Sequence, residues 1–271
     1  MTQTSSVAAH ALDVPGARLY YEVRGSGPLI ALVGAPMDAA AFAPLADLLA
    51  TDHTVLTMDP RGHKSSVLDD PEQDSTPALR ADDLARILVH LGTGPAVVFG
   101  SSGGAVTTLA LVQAHPELVS TAIAHEPPLN VVLDNGLQTS TADLAATYAS
   151  GDTLGAWRKF FANANMEMPE QVLEEMFGGD RDPAQVASEC FWFLHEIDGT
   201  VWWEPDFEVL RATPVRLVAG IGADSTDQFC DHTTRALAAR IDIEPTLFPG
   251  GHTGFVDDPA TFVIRLREVL G

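Results

Sequence analysis

Residues 97–111 join a short apolar strand to a helix through a turn made of glycines and serines. Residues 97–99 are the β-branched and aromatic run that is typical of a buried strand. The next residues, 100–104, fit the pattern Gly-x-Ser-x-Gly around Ser102. A sharp strand-to-helix turn needs glycines on both sides of the serine because side chains there would collide. The stretch therefore predicts an exposed, nucleophilic Ser102, although a glycine- and serine-rich loop without chemistry also fits the motif alone.

Segments typical of strands alternate with segments typical of helices along most of the chain. Strand-like runs lie at residues 11–14, 18–23, 28–33, 54–58, 96–99, 119–124, 215–219 and 242–248. Helix-like runs lie at residues 39–50, 76–91, 105–114, 227–240 and 259–270. Because this alternation implies right-handed crossovers, it predicts an α/β fold with an eight-stranded, mostly parallel sheet flanked by helices.

The alternation stops between residues 130 and 205, where the chain reads as helical and is rich in Trp, Phe and Met. We therefore predict one core domain formed by residues 1–129 and 206–271, with a helical cap at 130–205 inserted after the sixth core strand. Large apolar side chains on a cap suit the roof of an apolar pocket. Four residues are predicted to line that pocket: Met37, Trp157, Phe161 and Trp192.

The charge balance excludes two classes of partner. The 271-residue chain has 37 acidic residues against 15 Lys and Arg, a net charge of −22. Such a surface repels nucleic acids and anionic membranes, so we predict neither as a partner. We expect a small-molecule substrate as the partner, with a homodimer left open as the assembly.

The cysteines and the N-terminus bear on the compartment. Cys190 and Cys230 are far apart and belong to no Cys-x-x-Cys pair, so no disulfide framework is predicted. The first residues have no basic segment followed by an apolar one, as a signal peptide would, and no apolar run approaches the roughly 20 residues of a membrane span. These features predict a cytoplasmic protein.

Polar and charged residues follow several predicted strands at their carboxyl ends, where sites form in parallel sheets. A serine hydroxyl needs a base, and that base needs a carboxylate to orient it. Ser102, Asp224 and His252 supply these groups in the order serine, acid, histidine, each after a strand. Glu126, which follows the strand at 119–124, is a second carboxylate at the same edge.

Four blocks of the chain, taken together, resemble the α/β-hydrolase fold superfamily over nearly the whole length. They are Gly34-Ala35-Pro36, residues 59–66 (Asp-Pro-Arg-Gly-His-Lys-Ser-Ser), Gly100 to Gly104, and Pro249-Gly250-Gly251-His252. The resemblance implies a cap after the sixth strand and an oxyanion hole made by the backbone N–H groups of Ala35 and Gly103. It also implies that the acid follows either the strand at 215–219 or the strand at 119–124. We expect Asp224 to be the acid, with Glu126 as the alternative.

The resemblance implies a serine hydrolase acting on an ester, lactone or thioester of a mainly apolar small molecule, without a cofactor. No metal site is predicted, since His252 lacks a second histidine at ligand spacing. The same fold also supports carbon–carbon bond hydrolysis, acyl transfer, perhydrolysis and ring closure in secondary metabolism. It further supports ligand receptors without enzymatic activity, and the fold alone does not choose among these functions.

Overall fold

The computed structural model describes residues 6–133 and 140–271, and within them one sheet organises the fold. Its strands are β1 (Ala8–Val14), β2 (Ala17–Gly25), β3 (Leu29–Val33), β4 (Thr54–Met58), β5 (Val67–Leu68), β6 (Ala96–Ser101), β7 (Val119–His125), β8 (Arg216–Gly222) and β9 (Thr246–Phe248). The order is β1-β2-β4-β3-β6-β7-β8-β9, and the two-residue β5 pairs with β2. Pairing is antiparallel around β2 and parallel from β4 to β9. The predicted eight-stranded, mostly parallel sheet is confirmed, and only β5 was not anticipated.

Helices follow most strands, as the sequence predicted. They are α1 (Ala39–Leu49), α2 (Pro77–Leu91), α3 (Gly103–Ala114), α4 (Ala142–Ala149), α5 (Thr153–Ala164), α6 (Glu170–Phe177), α7 (Pro183–Phe191), α8 (Ile197–Val201), α9 (Phe207–Ala212), α10 (Phe229–Arg240), α11 (Gly254–Asp257) and α12 (Pro259–Leu270). In α2, the Thr76 hydroxyl accepts from the Leu79 N–H, and Gly92 ends the helix in the left-handed region at φ 64°. These are the start and stop signals that the sequence carries.

The sheet is buried between two apolar layers. Side chains from β3 alternate between them: Ile30 and Leu32 pack with α1 and α12, while Ala31 packs with α2 and α3. A strand that is buried on both faces has no solvent-exposed side on which polar residues would be favoured. This explains the unbroken apolar run at residues 29–33. The sheet is therefore a rigid platform, and the loops at its carboxyl edge are the parts free to carry a site.

The described residues between β7 and β8 contain no strand. They form α4 to α9 with a π-helical turn, Trp192–Glu196, between α7 and α8. We call residues 140–205 the cap, in keeping with the predicted insertion, and its division from the core stays a prediction. None of the helices in the described ranges is long and apolar enough to cross a bilayer.

Candidate active site

Ser102 occupies the turn between β6 and α3 in a strained backbone conformation. Its φ is 56° and its ψ is −125°, a combination that residues other than glycine rarely adopt. The Ser102 N–H donates to the carbonyl oxygen of His125 at 2.9 Å, which holds the turn against β7. A Cβ placed on Gly104 would overlap the carbonyl oxygen of Val33. The glycine of the motif is thus required because two backbones meet there.

Two backbone segments converge beside Ser102. Ala35 lies in the loop after β3, and Gly103 is the first residue of α3. A Cβ on Gly103 would overlap the carbonyl oxygen of Ala35, so the two segments are in direct contact. Both residues line the same cavity as Ser102. The two residues predicted to supply N–H donors therefore lie side by side at the start of a helix, where the helix dipole favours negative charge.

His252 is paired with Glu126. His252 lies in the loop after β9, and its Nδ1 is 2.5 Å from Oε2 of Glu126. Glu126 follows β7 and is fully buried; its second oxygen, Oε1, accepts from the Gly222 N–H at 2.7 Å. This geometry is what an acid that orients an imidazole requires. No hydrogen bond joins Ser102 to His252 in the described structure, but both side chains line one cavity.

The expectation that Asp224 contacts His252 is wrong. Asp224 is exposed, and its carboxylate makes no hydrogen bond within the described residues. Its backbone N–H donates to the carbonyl oxygen of Gly250 at 3.0 Å, and the Ala223 N–H donates to Phe248 at 2.8 Å. The loop after β8 therefore runs along the segment after β9, and Asp224 ends at the surface.

The pairing shifts both pKa values. Burial acts to raise the pKa of Glu126, but hydrogen bonding and attraction to His252 outweigh it and lower that pKa to about 2. Burial acts to lower the pKa of His252, but the sulfur of Cys230 and the carboxylate of Glu126 outweigh it and raise that pKa to about 10. The carboxylate therefore stays ionised at neutral pH and stabilises a proton on His252.

A cavity opens between Ser102 and the cap. Of the four residues predicted to line it, Trp192 does so, whereas Met37, Trp157 and Phe161 do not. Met37 packs against the apolar layer of α1 and α12. Trp157 stacks on Phe177 with ring centroids 4.0 Å apart, and its Nε1 donates to Glu189. Met37 therefore belongs to the core and Trp157 to the interior of the cap. Only one side of a short cap helix faces the cavity, and the other side packs inside the cap.

Several residues that line the cavity were missed by sequence reasoning. They include Leu144, Phe160, Met166, Ile197, Phe229 and Cys230. Phe160 and Met166 were visible only as members of an apolar, aromatic segment. No sequence pattern marked Phe229 and Cys230, in the first turn of α10, as cavity residues, because their approach to the site depends on how α10 packs beside β8. Among the lining residues of the described chain there is no Lys, Arg, Asp or Glu.

Buried polar contacts tie the cap to the core next to the cavity. Glu196, in the π-helical turn, lies with its Oε2 3.0 Å from Nε2 of His63. Arg80 of α2 donates from Nη2 to Oγ1 of Thr200 at 2.9 Å, and Thr200 lines the cavity. Burial acts to raise the pKa of Glu196, but the charges of His63 and Arg80 hold it below its usual value. Buried polar and charged side chains, among them Glu196 and Arg80, therefore orient the cap over the site.

Two buried groups near the site hold its loops. Arg61 pairs with Asp83 of α2 through two hydrogen bonds of 2.7 and 2.6 Å, so it fastens the loop after β4 to α2. His125, at the end of β7, is fully buried among aromatic rings, with its Nδ1 3.2 Å from Oγ of Ser101. Burial lowers the pKa of His125 to about 4, so this histidine is a neutral part of the core.

Comparison with known proteins defines the class. The Alpha/beta hydrolase family matches residues 29–266, and the chain belongs to it. The chain is 33% identical to the hydrolase YraK of Bacillus subtilis (strain 168), over 96% of this chain and 94% of the relative.

Two further similar proteins have named activities. The zearalenone hydrolase of Cladophialophora bantiana is 27% identical over 95% of this chain and 94% of its own length. Est816, a solved N-acyl homoserine lactone degrading enzyme, matches with a TM-score of 0.73 and 18% identity over 96% of this chain and 99% of its own. The chain is a hydrolase of the α/β class, and the similarity to Est816 supports its fold.

Proposed function

We propose that this protein is a serine hydrolase that cleaves an ester or lactone bond in a mainly apolar small molecule. The observation that carries the proposal is the convergence of strained Ser102 with the His252–Glu126 pair in one cavity. Ser102 is the nucleophile, His252 the base, and Glu126 the acid. Asp224 has no part in the reaction.

In the proposed mechanism, Ser102 Oγ attacks the carbonyl carbon while His252 takes the hydroxyl proton. Glu126 keeps the imidazole in the required tautomer and stabilises its positive charge. The N–H groups of Ala35 and Gly103 donate to the developing oxyanion. Each such donor commonly lowers the activation free energy by about 3 kcal/mol. The intermediate collapses, His252 protonates the leaving oxygen, and water then cleaves the acyl-enzyme by the same steps. The route does not require a hydrogen bond between serine and histidine before the substrate binds, because catalytic hydrogen bonds often tighten only in the complex.

The cavity favours an uncharged, apolar substrate. Its lining is mostly apolar, and the described residues that form it include no Lys or Arg for a phosphate or carboxylate group. The names of two similar proteins, a zearalenone hydrolase and an N-acyl homoserine lactone degrading enzyme, lend support to a lactone or ester as the bond that is cleaved.

A covalent probe tests the proposal directly. The wild-type protein should react with a fluorophosphonate and should turn over p-nitrophenyl esters of medium-length acyl chains. Mass spectrometry of the digested protein should place the adduct on Ser102, and Ser102→Ala should abolish both labelling and turnover. Ser101→Ala is the matched control and should keep both. Probe labelling without turnover of any ester or lactone would instead indicate a ligand receptor on this fold.

A further inference from the structure

A third side chain stands beside His252 and Glu126 at the wall of the cavity. Cys230, in the first turn of α10, is a free cysteine that is 9% exposed and lines the cavity. Its Sγ, a ring nitrogen of His252 and a carboxylate oxygen of Glu126 all lie within 4.8 Å of one another. The proposed hydrolysis uses the histidine and the glutamate but gives Cys230 no task.

The three groups form a ligand set of known chemistry. A thiolate, an imidazole and a carboxylate are the ligands of zinc, which binds them at about 2.0–2.3 Å. In tetrahedral coordination, bonds of that length place the ligand atoms roughly 3.3–3.8 Å apart. Nδ1 of His252 and Oε2 of Glu126 are 2.5 Å apart and share a hydrogen bond, so the ion replaces the proton between them. The two atoms must then separate by about 1 Å, which rotation of the His252 side chain supplies.

We propose that Glu126, Cys230 and His252 form a binding site for Zn²⁺, and that the bound ion switches off the hydrolase. The Cys230 thiol releases its proton to solvent when it binds the ion, as a coordinating thiol does. His252 likewise releases to solvent the Nδ1 proton that it shares with Glu126, and it binds the ion through that nitrogen. The remaining ring proton is then on Nε2, so zinc-bound His252 cannot accept the proton of Ser102.

The site is prearranged from three separate elements. Glu126 follows β7, and its Oε1 accepts from the Gly222 N–H at 2.7 Å, while Oε2 faces His252. The Cys230 carbonyl accepts from the hydroxyls of Thr233 and Thr234, at 3.2 and 2.6 Å, so this turn of α10 is fixed. Hydrogen-bonded support behind the ligands raises metal affinity because it reduces the ordering that binding must impose.

Access and charge also favour a cation. Because Cys230 and His252 line the cavity, an ion reaches them by the same route as the substrate. Three protein ligands leave a fourth position open toward the cavity, which is the arrangement of accessible zinc sites. The net charge of −22 attracts cations to the protein.

Metal binding is tested without reference to activity. Cd²⁺ is titrated into metal-free full-length protein, and the ultraviolet charge-transfer absorption between thiolate and cadmium is recorded. One equivalent should produce the band in the wild type and in Cys190→Ala, which lacks the cysteine of α7. Cys230→Ala should lose the band, and Cys230→Ser, which keeps the size of the side chain, should lose it too. A band of equal strength in the Cys230 variants, or none in the wild type, would overturn the site.

Inhibition is tested separately and rests on the proposed hydrolase function. Zn²⁺ should lower wild-type ester turnover at least tenfold, and EDTA should restore it. Loss of a supporting partner already weakens metal sites about 10–100-fold, so Cys230→Ala, which loses a ligand, should need at least about 100-fold more zinc. Equal zinc sensitivity in Cys230→Ala and the wild type would overturn the inhibitory role. A cadmium band in a protein with no esterase activity would refute the proposed function but leave the metal site standing.

Discussion

Nδ1 of His252 lies 2.5 Å from Oε2 of Glu126, so the histidine after β9 is paired with a carboxylate that follows β7. The pair spans β8, which lies between those two strands in the sheet. Gly222, at the end of β8, completes the arrangement by donating its N–H to the other oxygen of Glu126. A carboxylate that is buried and held at both oxygens is restricted to one orientation, which suits it to orient an imidazole.

Replacement of the two candidate acids should separate their roles. Glu126→Gln keeps an oxygen for the Gly222 N–H but removes the charge and favours the wrong imidazole tautomer, so kcat should fall by about 10⁴. Asp224→Asn changes an exposed side chain and should leave kcat within about twofold. Steady-state turnover of a p-nitrophenyl ester measures both. An inactive Asp224→Asn beside an active Glu126→Gln would return the acid to Asp224.

Contact between Gly103 and Ala35 should make Gly103 intolerant of a side chain. In Gly103→Ala the new Cβ pushes the Ala35 carbonyl away, which moves one oxyanion donor, and we expect kcat to fall about 100-fold. Gly199→Ala is the matched control, since a Cβ there meets nothing within 4 Å, and it should keep full kcat. Comparable loss in both variants would mean that the contact with Ala35 is unimportant for turnover.

The raised pKa of His252 sets the pH dependence of the reaction. A general base works as the neutral form, which dominates only above its pKa, and the pKa of His252 is raised from 6.5 to about 10. kcat/KM for an uncharged ester should therefore increase with pH across the neutral range, with a midpoint above 6.5.

The carboxylate of Glu126 is one cause of that shift, and its removal should lower the midpoint. In Glu126→Gln the imidazolium loses its counter-charge, so NMR titration of the His252 ring should give a lower pKa than in the wild type. An unchanged His252 pKa in this variant would show that Glu126 does not carry the shift.

Neighbouring phenylalanines on α5 should respond differently to truncation. Phe160 lines the cavity, so Phe160→Ala should change the preferred acyl-chain length with a small effect on Tm. Phe161 lies in the cap interior beside Trp157 and is 9% exposed, so Phe161→Ala should lower the free energy of unfolding by about 3 kcal/mol without changing that preference. Chain-length profiles and thermal unfolding measure the two effects. Identical effects in both variants would mean that the cavity does not select the acyl chain.

Some features of this protein could be predicted from its sequence because they depend on neighbouring residues alone. The strands, the caps of α2 and the turn at Ser102 follow from local apolar runs, capping residues and glycines. The order of strands and helices then restricts the fold to a mostly parallel sheet, and its carboxyl edge collects Ser102, Ala35, Gly103 and His252. Local chemistry and chain connectivity thus determined the fold and most of the candidate site.

The tertiary structure decided which side chains meet. Sequence order favoured Asp224, but the loop after β8 runs along the segment after β9, which leaves Asp224 exposed. Trp157 and Phe161 are as apolar as Phe160, and only the rotation of α5 turns one of them toward the cavity. Cys230 reaches His252 because α10 packs beside β8. Contacts between residues far apart in sequence depend on loop paths and helix rotations, which no local pattern encodes.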